Sequence, residues 1–298
     1  MLNGISKKNI QYLVLAVFFL ANIFIWSAVA RVDRKGVLTV AFLDVGQGDA
    51  IYIEAPNGNQ MLIDGGQPSG AVLRQLGKMM PFWDRSLDVV VATHPDQDHV
   101  GGLPAVLSRL QVDNVVTTEN TSATGAYGAF EKEISEKHPT RILARAGEKI
   151  ILDDGVVLEI LFPDRSTAGW ETNLGSIVAR LSYRDESFLF TGDSPQAVEQ
   201  YLVSKKAGVL HTNVLKLGHH GSRTSSNKVF LVAADPEYAI ISAGKDNKYG
   251  HPHKEVIDLL TELKIPFLNT AEQGTIIFKT KGEGLLLNQI PSFLLNEL

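Results

Sequence analysis

The chain has no cysteine among its 298 residues, which removes disulfides, thiolate metal ligands and a cysteine nucleophile together. It also lacks surplus positive charge, with 28 Lys and Arg against 33 Asp and Glu and a formal net charge of -5. A protein that coats duplex DNA neutralises phosphates with clustered cations, so this balance excludes that class and confines any nucleic-acid contact to a local patch. There is no low-complexity tract and no repeat at a fixed period. Metal chemistry in such a chain must use His, Asp and Glu. With 44% hydrophobic and 20% charged residues, the composition is that of a folded protein, long enough for one large core and an appendage.

The appendage lies at the start. Residues 1–9 form a short tail carrying Lys7 and Lys8, and Ile10 to Ala30 is an uncharged run of 21 residues, followed by Arg31, Arg34 and Lys35. As a helix that run spans ~30 Å of hydrocarbon. Ala28-Val29-Ala30 has the small-x-small form of a signal-peptidase site, but the apolar run is longer than the ~7–15 residues usual for a cleaved signal. An uncleaved single-pass anchor is therefore expected, with the globular domain outside the cytoplasm, although positive charge on both flanks says little about orientation.

From Leu38 the pattern changes to short apolar runs cut by Gly, Asp and Asn. Leu38–Leu43, Ala50–Glu54, Gln60–Ile63 and Leu87–Ala92 read as strands, as do Arg141–Leu143, Lys149–Leu152, Val156–Phe162, Ser176–Tyr183, Ser187–Phe190, Val214–Leu217, Tyr238–Ser242 and Thr275–Lys279. Helical periodicity falls at Ala71–Met80, Gly102–Leu110, Tyr127–Lys137, Pro195–Ser204, Lys228–Ala233 and His253–Leu263. Two mixed sheets packed face to face with helices outside, a four-layer αββα sandwich, fit this order better than a doubly wound parallel sheet. The domain is expected over 36–282, with 283–298 as a C-terminal tail.

The strongest chemical signal is Thr93-His94-Pro95-Asp96-Gln97-Asp98-His99-Val100-Gly101-Gly102, directly after the strand ending at Ala92. Two imidazoles and two carboxylates crowded at a strand end repel and desolvate one another, a conflict that divalent cations relieve. Asp193 follows a strand and a glycine, so its carboxylate can bridge cations. Asp44 and Asp49 flank glycines in a turn, where they either cap the turn or orient a ligating His through its other N–H; Asp64 has the same two options. The loop Gly218–Ser226 carries His219, His220, Arg223 and four hydroxyls including Ser222. Backbone N–H groups, side-chain donors and one fixed cation suit an anionic oxygen. His138, beside Pro139 in a charged helical stretch, reads as a solvated surface residue.

His-x-Asp-x-Asp-His-x-Gly-Gly at 94–102 resembles the second motif of metallo-β-lactamase-fold hydrolases, usually His-x-His-x-Asp-His. Leu62-Ile63-Asp64-Gly65-Gly66 and Phe190-Thr191-Gly192-Asp193 resemble two further motifs of that fold. Phe42-Leu43-Asp44-Val45-Gly46-Gln47-Gly48-Asp49, Leu215-Lys216-Leu217-Gly218-His219-His220-Gly221-Ser222 and His251-Pro252-His253 are similar to features of ComEC-type DNA-uptake proteins. The resemblance covers roughly residues 38 to 280. Asp96 replaces the second His of the usual motif, and where a third-motif His is expected stands Asn173-Leu174-Gly175-Ser176, so Asn173 is a candidate for orienting a ligand, water or substrate. Oxygen-rich ligation shifts preference from Zn²⁺ toward Mn²⁺ or Mg²⁺.

The resemblance implies two divalent metal ions held by His94, Asp96, Asp98, His99, Asp193 and a later His. His219 is the expected later ligand and His251 its competitor, with His220 and His253 facing substrate or supporting the ligands. Asp98 would hold an attacking water, His220 or His251 would protonate a leaving alkoxide, and Asn173, Ser222 and Arg223 would contact phosphate. The implied substrate is a DNA strand and the implied partner a separate DNA-channel protein, since one apolar span cannot form a channel alone. Three alternatives stand beside this: a cell-envelope phosphodiesterase acting on phosphorylcholine or teichoic acid, a β-lactam hydrolase, and a non-catalytic subunit of an uptake channel.

Overall fold

The computed structural model describes residues 7–34 and 36–289. The described elements open with α1 (Lys7–Arg34), followed by β1 (Leu38–Phe42), β2 (Ile51–Glu54), β3 (Gln60–Ile63), α2 (Ala71–Met79), β4 (Ser86–Val91), α3 (Gln97–Val100), α4 (Leu103–Arg109), β5 (Gln111–Thr117), α5 (Gly125–Lys137) and β6 (Thr140–Leu143). The second half runs β7 (Lys149–Asp153), β8 (Val156–Phe162), β9 (Val178–Tyr183), β10 (Glu186–Phe190), α6 (Gln196–Lys206), β11 (Val214–Lys216), α7 (Lys228–Ala234), β12 (Tyr238–Ile241), α8 (Lys254–Glu262), β13 (Phe267–Asn269), α9 (Thr270–Gln273), β14 (Ile276–Thr280) and β15 (Leu285–Gln289). One sheet has the order β15-β14-β1-β2-β3-β4-β5-β6 and the other β13-β12-β11-β10-β9-β8-β7.

Side chains on the inner faces of both sheets, among them Val40, Phe42, Leu158, Phe188, Phe190 and Phe278, form one buried cluster. Ala41 and Leu43, one residue out of step on β1, belong instead to the cluster that α2, α4 and α5 close over the first sheet. A third cluster packs α6, α7 and α8 on the second sheet. Because both faces of each sheet are covered, the central strands are apolar throughout rather than alternating. The expected four-layer αββα sandwich is the observed fold.

The strand directions give the sandwich two distinct ends. In the first sheet, β3 pairs parallel with β4 (Met61↔Val89) and β4 with β5 (Val90↔Val115); in the second, β10 pairs parallel with β11 and β11 with β12. The carboxyl ends of β4 and β10 lead into His94 and Asp193, whose side chains approach within 3.9 Å, so both sheets present these ends to one crevice. The opposite end, the base of the sandwich, holds the start of β1, the start of β4 and the β9–β10 turn, where the Tyr183 hydroxyl donates to the Gly36 carbonyl at 3.0 Å.

Three strands differ from expectation. Gln111–Thr117 opens with the polar run Gln-Val-Asp-Asn, and Phe267–Asn269 is only three residues long, so neither stands out as a strand in sequence. Leu285–Gln289, placed in a C-terminal tail, adds an edge strand antiparallel to β14. The helix α1 runs beyond the expected span of 10–30 at both ends. Among the described residues it is the one helix long and apolar enough to cross a membrane, by length and composition over Lys7–Trp26.

Candidate metal centre

Three loops interlock at the crevice. Asp49 N donates to Asp98 O (3.2 Å), Gly65 N to His99 O (2.7 Å), Gly66 N to Asp49 O (2.8 Å) and Gly102 N to Gly66 O (3.0 Å). That close weave requires glycine at two points: a Cβ on Gly48 would lie 2.0 Å from Asp98 O, and one on Gly102 2.0 Å from Gly65 O. After β4 the chain enters α3 through Asp96, an extended N-cap residue whose carboxylate makes no capping bond. Asp98 and His99 follow within the first turn.

The imidazoles are oriented from behind. His99 donates from Nδ1 to Asp64 Oδ2 (2.8 Å), and the same oxygen receives the Thr93 hydroxyl (2.7 Å), which in turn lies 3.0 Å from His94 Nδ1. His220 Nδ1 lies 2.9 Å from the Ser242 carbonyl. With every Nδ1 held this way, all three Nε2 atoms turn inward toward Asp193: His99 Nε2 is 3.2 Å from its Oδ1, and His220 and His94 Nε2 are 3.4 and 3.9 Å from its Oδ2. Asp98 Oδ2 lies 3.4 Å from His220 Nε2 and Asp96 Oδ2 3.8 Å from His94 Nε2. The Nε2 atoms of His94, His99 and His220 and Asp193 Oδ1 are buried without a hydrogen bond. Buried polar atoms are ordinarily satisfied, and three orphaned imidazole nitrogens converging on carboxylates are what a divalent cation satisfies.

The electrostatics agree. Burial, reinforced by the neighbouring His99, pushes His94 down to about 3. Burial also opposes protonation of His220, yet Asp193 and Asp49 raise it to about 9, and His99 is raised in the same way by Asp193 and Asp64. The Asp193 carboxyl is held well below its ordinary range, against its burial, by His220 and His99. The net pull of this cluster is toward positive charge at its middle.

Asp49 lies within 4.8 Å of His99, Asp193 and His220, but it faces the Nδ1 edges and is ion-paired with Lys216. It thus supports rather than completes the inner set. Lys216 is fully buried and also reaches the Gly192 carbonyl at 3.4 Å.

The structure rearranges the expected roles of the later histidines. His220, expected to face substrate, is buried in the cluster, whereas His219 is partly exposed at its edge, with Nε2 3.7 Å from Asp193 Oδ2 and Nδ1 3.1 Å from Thr224 Oγ1. Consecutive left-handed φ angles of 50° and 56° at His219 and His220 turn the two rings to these different places. His251 sits at the rim, its ring 5.3 Å from His219 and 6.0 Å from His220, with a buried, unbonded Nδ1. Burial, and then the neighbouring imidazoles of His220 and His219, lower it to about 4.

His253 Nδ1 accepts the Arg223 amide at 3.2 Å, so it braces the 218–226 loop rather than any ligand. Asp44 caps its own turn at Gly46 N (3.2 Å) and makes no bond to an imidazole, the structural alternative of its two options. Ser222 bonds within the loop to Thr224 (3.0 Å), and the exposed Arg223 guanidinium lies 3.7 Å from Glu255, so neither is directed into the centre by these contacts. Asn173 lies in a 3-10 turn whose neighbour Ile177 bonds Thr93 O, and its Oδ1 is buried without a partner. His138 is exposed on the far flank at the end of α5.

Fold and centre together define a two-sheet sandwich that gathers imidazole and carboxylate ligands for divalent metal ions. The metallo-beta-lactamase superfamily model matches residues 43–245, and the chain belongs to that superfamily. It is 31% identical over 269 residues to ComE operon protein 3 of Bacillus subtilis, covering 81% of this chain and 33% of that protein. It is 32% identical over 263 residues to competence protein ComA of Neisseria gonorrhoeae, covering 88% and 35%. The chain thus spans about a third of the length of these relatives. Among solved structures, the metallo-beta-lactamase fold protein YhfI of Bacillus subtilis superposes with a TM-score of 0.55 at 14% identity, over 82% of this chain and all of that one.

Proposed function

We propose that this protein is a membrane-anchored, metal-dependent phosphodiester hydrolase acting on a DNA strand in competence, with its catalytic domain outside the cytoplasm. The observation that carries the chemistry is the convergence of three unpartnered His Nε2 atoms on Asp193. His94, Asp96, Asp98, His99, His220 and Asp193 would hold two divalent ions, with His219 at the open edge. Such ions supply Lewis acidity and make a water nucleophilic near neutral pH.

The chain's own groups account for the rest. Asp98, a quarter exposed and beside His220, is placed to hold and orient the attacking water at the mouth of the centre. His251, neutral at pH 7 and with a free buried Nδ1, would accept the proton that the attacking water gives up and return it to the leaving oxygen. Beside it opens a cavity of ≈ 680 Å³ lined by Lys245, Asn247 and Asn269 together with Asp246 and Glu272, which would take the part of the substrate next to the centre. The named competence relatives support DNA as the substrate.

The test is hydrolysis by the chelated full-length protein, in detergent, of single-stranded DNA, duplex DNA and bis(p-nitrophenyl) phosphate on addition of Mn²⁺, Mg²⁺ or Zn²⁺. Metal-dependent cleavage of DNA is expected. Hydrolysis of the small diester without cleavage of DNA would place the substrate in the cell envelope instead.

A further inference from the structure

Phe82 and Trp83 are adjacent, 81% and 64% exposed, and packed edge to face with ring centroids 4.8 Å apart. A pair of large aromatics held in water at a tight turn, where Asp84 N bonds Pro81 O at 2.9 Å, is costly unless something covers it. Strand register fixes where the turn lies. Val40 pairs with Ile53, Ile53 with Met61 and Met61 with Val89. Two residues back along β1 and β4 from that level, Leu38 and Leu87 stand abreast. The Phe82–Trp83 turn precedes Leu87 and therefore projects from the base, the end where the chain arrives from α1 and the end opposite the metal centre.

The tether between them is short. Helix α1 ends at Arg34 and β1 begins at Leu38, and four Cα steps reach at most about 14 Å. A base tied this closely to a membrane span is held near the headgroup layer. Its surroundings suit that layer: Lys78, Arg109 and Lys137 end α2, α4 and α5 there, and Arg85 follows the aromatic turn, its carbonyl bonded to Gln111 N at the start of β5. The carboxylates beside the aromatic turn are Asp84, engaged by Gln60 and Ser86, Asp88, which accepts from Gln60 N, Asp113, engaged by Gln111, and Glu136, paired with Lys132, while Asp153, Asp154, Asp185 and Glu283 lie in the other turns of the same end. Helix dipoles alone favour cations in last turns, so the aromatic pair, not the charge, selects the partner. Trp at the water–hydrocarbon boundary, with cations on anionic headgroups, is a recurrent membrane contact.

We propose that the base of the sandwich rests on the lipid surface, with Phe82 and Trp83 inserted among the headgroups and the metal centre facing away from the bilayer. The proposal rests on α1 being a membrane span. At ~3.3 Å per residue, six-residue β4 alone lifts the centre ~20 Å above the inserted turn, which leaves the crevice open to a strand arriving from solution.

Single-tryptophan forms of the full-length chain in vesicles containing anionic lipid test it. One keeps Trp83 (Trp26→Phe, Trp170→Phe) and the other keeps Trp26 (Trp83→Phe, Trp170→Phe). Lipids brominated on the acyl chains should quench both, Trp26 more strongly, and Trp83 should be shielded from aqueous iodide. Quenching of Trp26 with Trp83 left open to iodide would overturn the surface contact and keep the anchor. Lack of quenching at Trp26 would overturn the anchor and the contact with it. Trp83 that becomes shielded only when a partner protein is added would assign the patch to that partner and also overturn the proposal.

Discussion

Asp64 accepts a hydrogen bond from His99 Nδ1 at 2.8 Å on the same oxygen that takes the Thr93 hydroxyl at 2.7 Å. One carboxylate thereby fixes the tautomer and tilt of His99 directly and of His94 through Thr93. Asp64 holds a φ of 59°, a conformation that asparagine also tolerates. Asp64→Asn should therefore fold, yet weaken divalent-metal affinity by ~10–100-fold, as outer partners of ligating His commonly do. Calorimetric titration with Mn²⁺ measures it, and an affinity equal to that of the parent would show that the imidazoles orient without Asp64.

Metal preference follows from the same set. Asp96, Asp98 and Asp193 contribute as many oxygens as His94, His99 and His220 contribute nitrogens, and no cysteine sulfur is present. Chelated protein should recover activity better with Mn²⁺ than with Zn²⁺. Recovery with Zn²⁺ alone would contradict the oxygen-rich assignment.

How much of this was legible in the sequence depends on whether the signal is local. The sandwich was, because its strands are runs of apolar residues punctuated by Gly and Asp, and so was the gathering of His94, Asp98, His99 and Asp193 at one end of it, since they follow the carboxyl ends of such runs. What buries His220 in the cluster and leaves His219 at its edge is a pair of left-handed φ angles that no side-chain pattern reveals. Asp44 and Asp49 stand in the same Gly-rich turn and read alike; only packing turns Asp49 toward His220 and leaves Asp44 on Gly46 N. Lys216 carried a usable hint, since a lysine inside the apolar run Val214–Leu217 is buried only with a partner. That partner, Asp49, is far away in sequence, and the long-range pairing made it invisible.

The Lys216–Asp49 pair is itself testable. Both groups are buried, and Lys216 acts to hold the Asp49 carboxyl low against its burial. Lys216→Met leaves the buried carboxylate with only the His220 and His99 imidazoles opposite it and should destabilise the fold by up to ~3–5 kcal/mol, read as a shift of the denaturant midpoint. Adding Asp49→Asn to that variant should recover part of the loss. If the double variant is no more stable than Lys216→Met alone, the pair does not act as a unit.

Glu199, fully buried at the start of α6, accepts from Ser226 N (2.8 Å) and Asn227 N (2.6 Å) and so closes the loop that carries His219 and His220. Burial raises its carboxyl from 4.5 to about 7. The folded state then binds a proton that the unfolded chain releases, so the contribution of Glu199 to stability is fully present below 4.5 and is lost as pH rises through 7. The loss amounts to ~3 kcal/mol. Glu199→Gln should flatten that slope in unfolding measured between about pH 5 and pH 7.5. An unchanged slope would assign the pH dependence to other groups.

The last prediction separates chemistry from folding. Asp98 lies 3.4 Å from His220 Nε2 and is a quarter exposed, whereas Asp193 and the imidazoles of His94, His99 and His220 are almost wholly buried. Among these groups it is thus one that both a metal ion and an incoming water can reach. Asp98→Asn preserves size and removes charge, so one ion is held more weakly and the attacking water loses its acceptor. The rate should fall at least ~10²-fold while the unfolding midpoint stays near that of the parent. His138 provides the control, being exposed and at the left-handed end of α5, with φ 55°. His138→Asn suits that conformation and should change stability by no more than about 0.5 kcal/mol and leave the rate unchanged; His138→Ala would add backbone strain of ~1 kcal/mol without touching the rate. Full metal-dependent hydrolysis by Asp98→Asn, or its loss in His138→Asn, would remove Asp98 from the centre and reopen the search for an imidazole on α5.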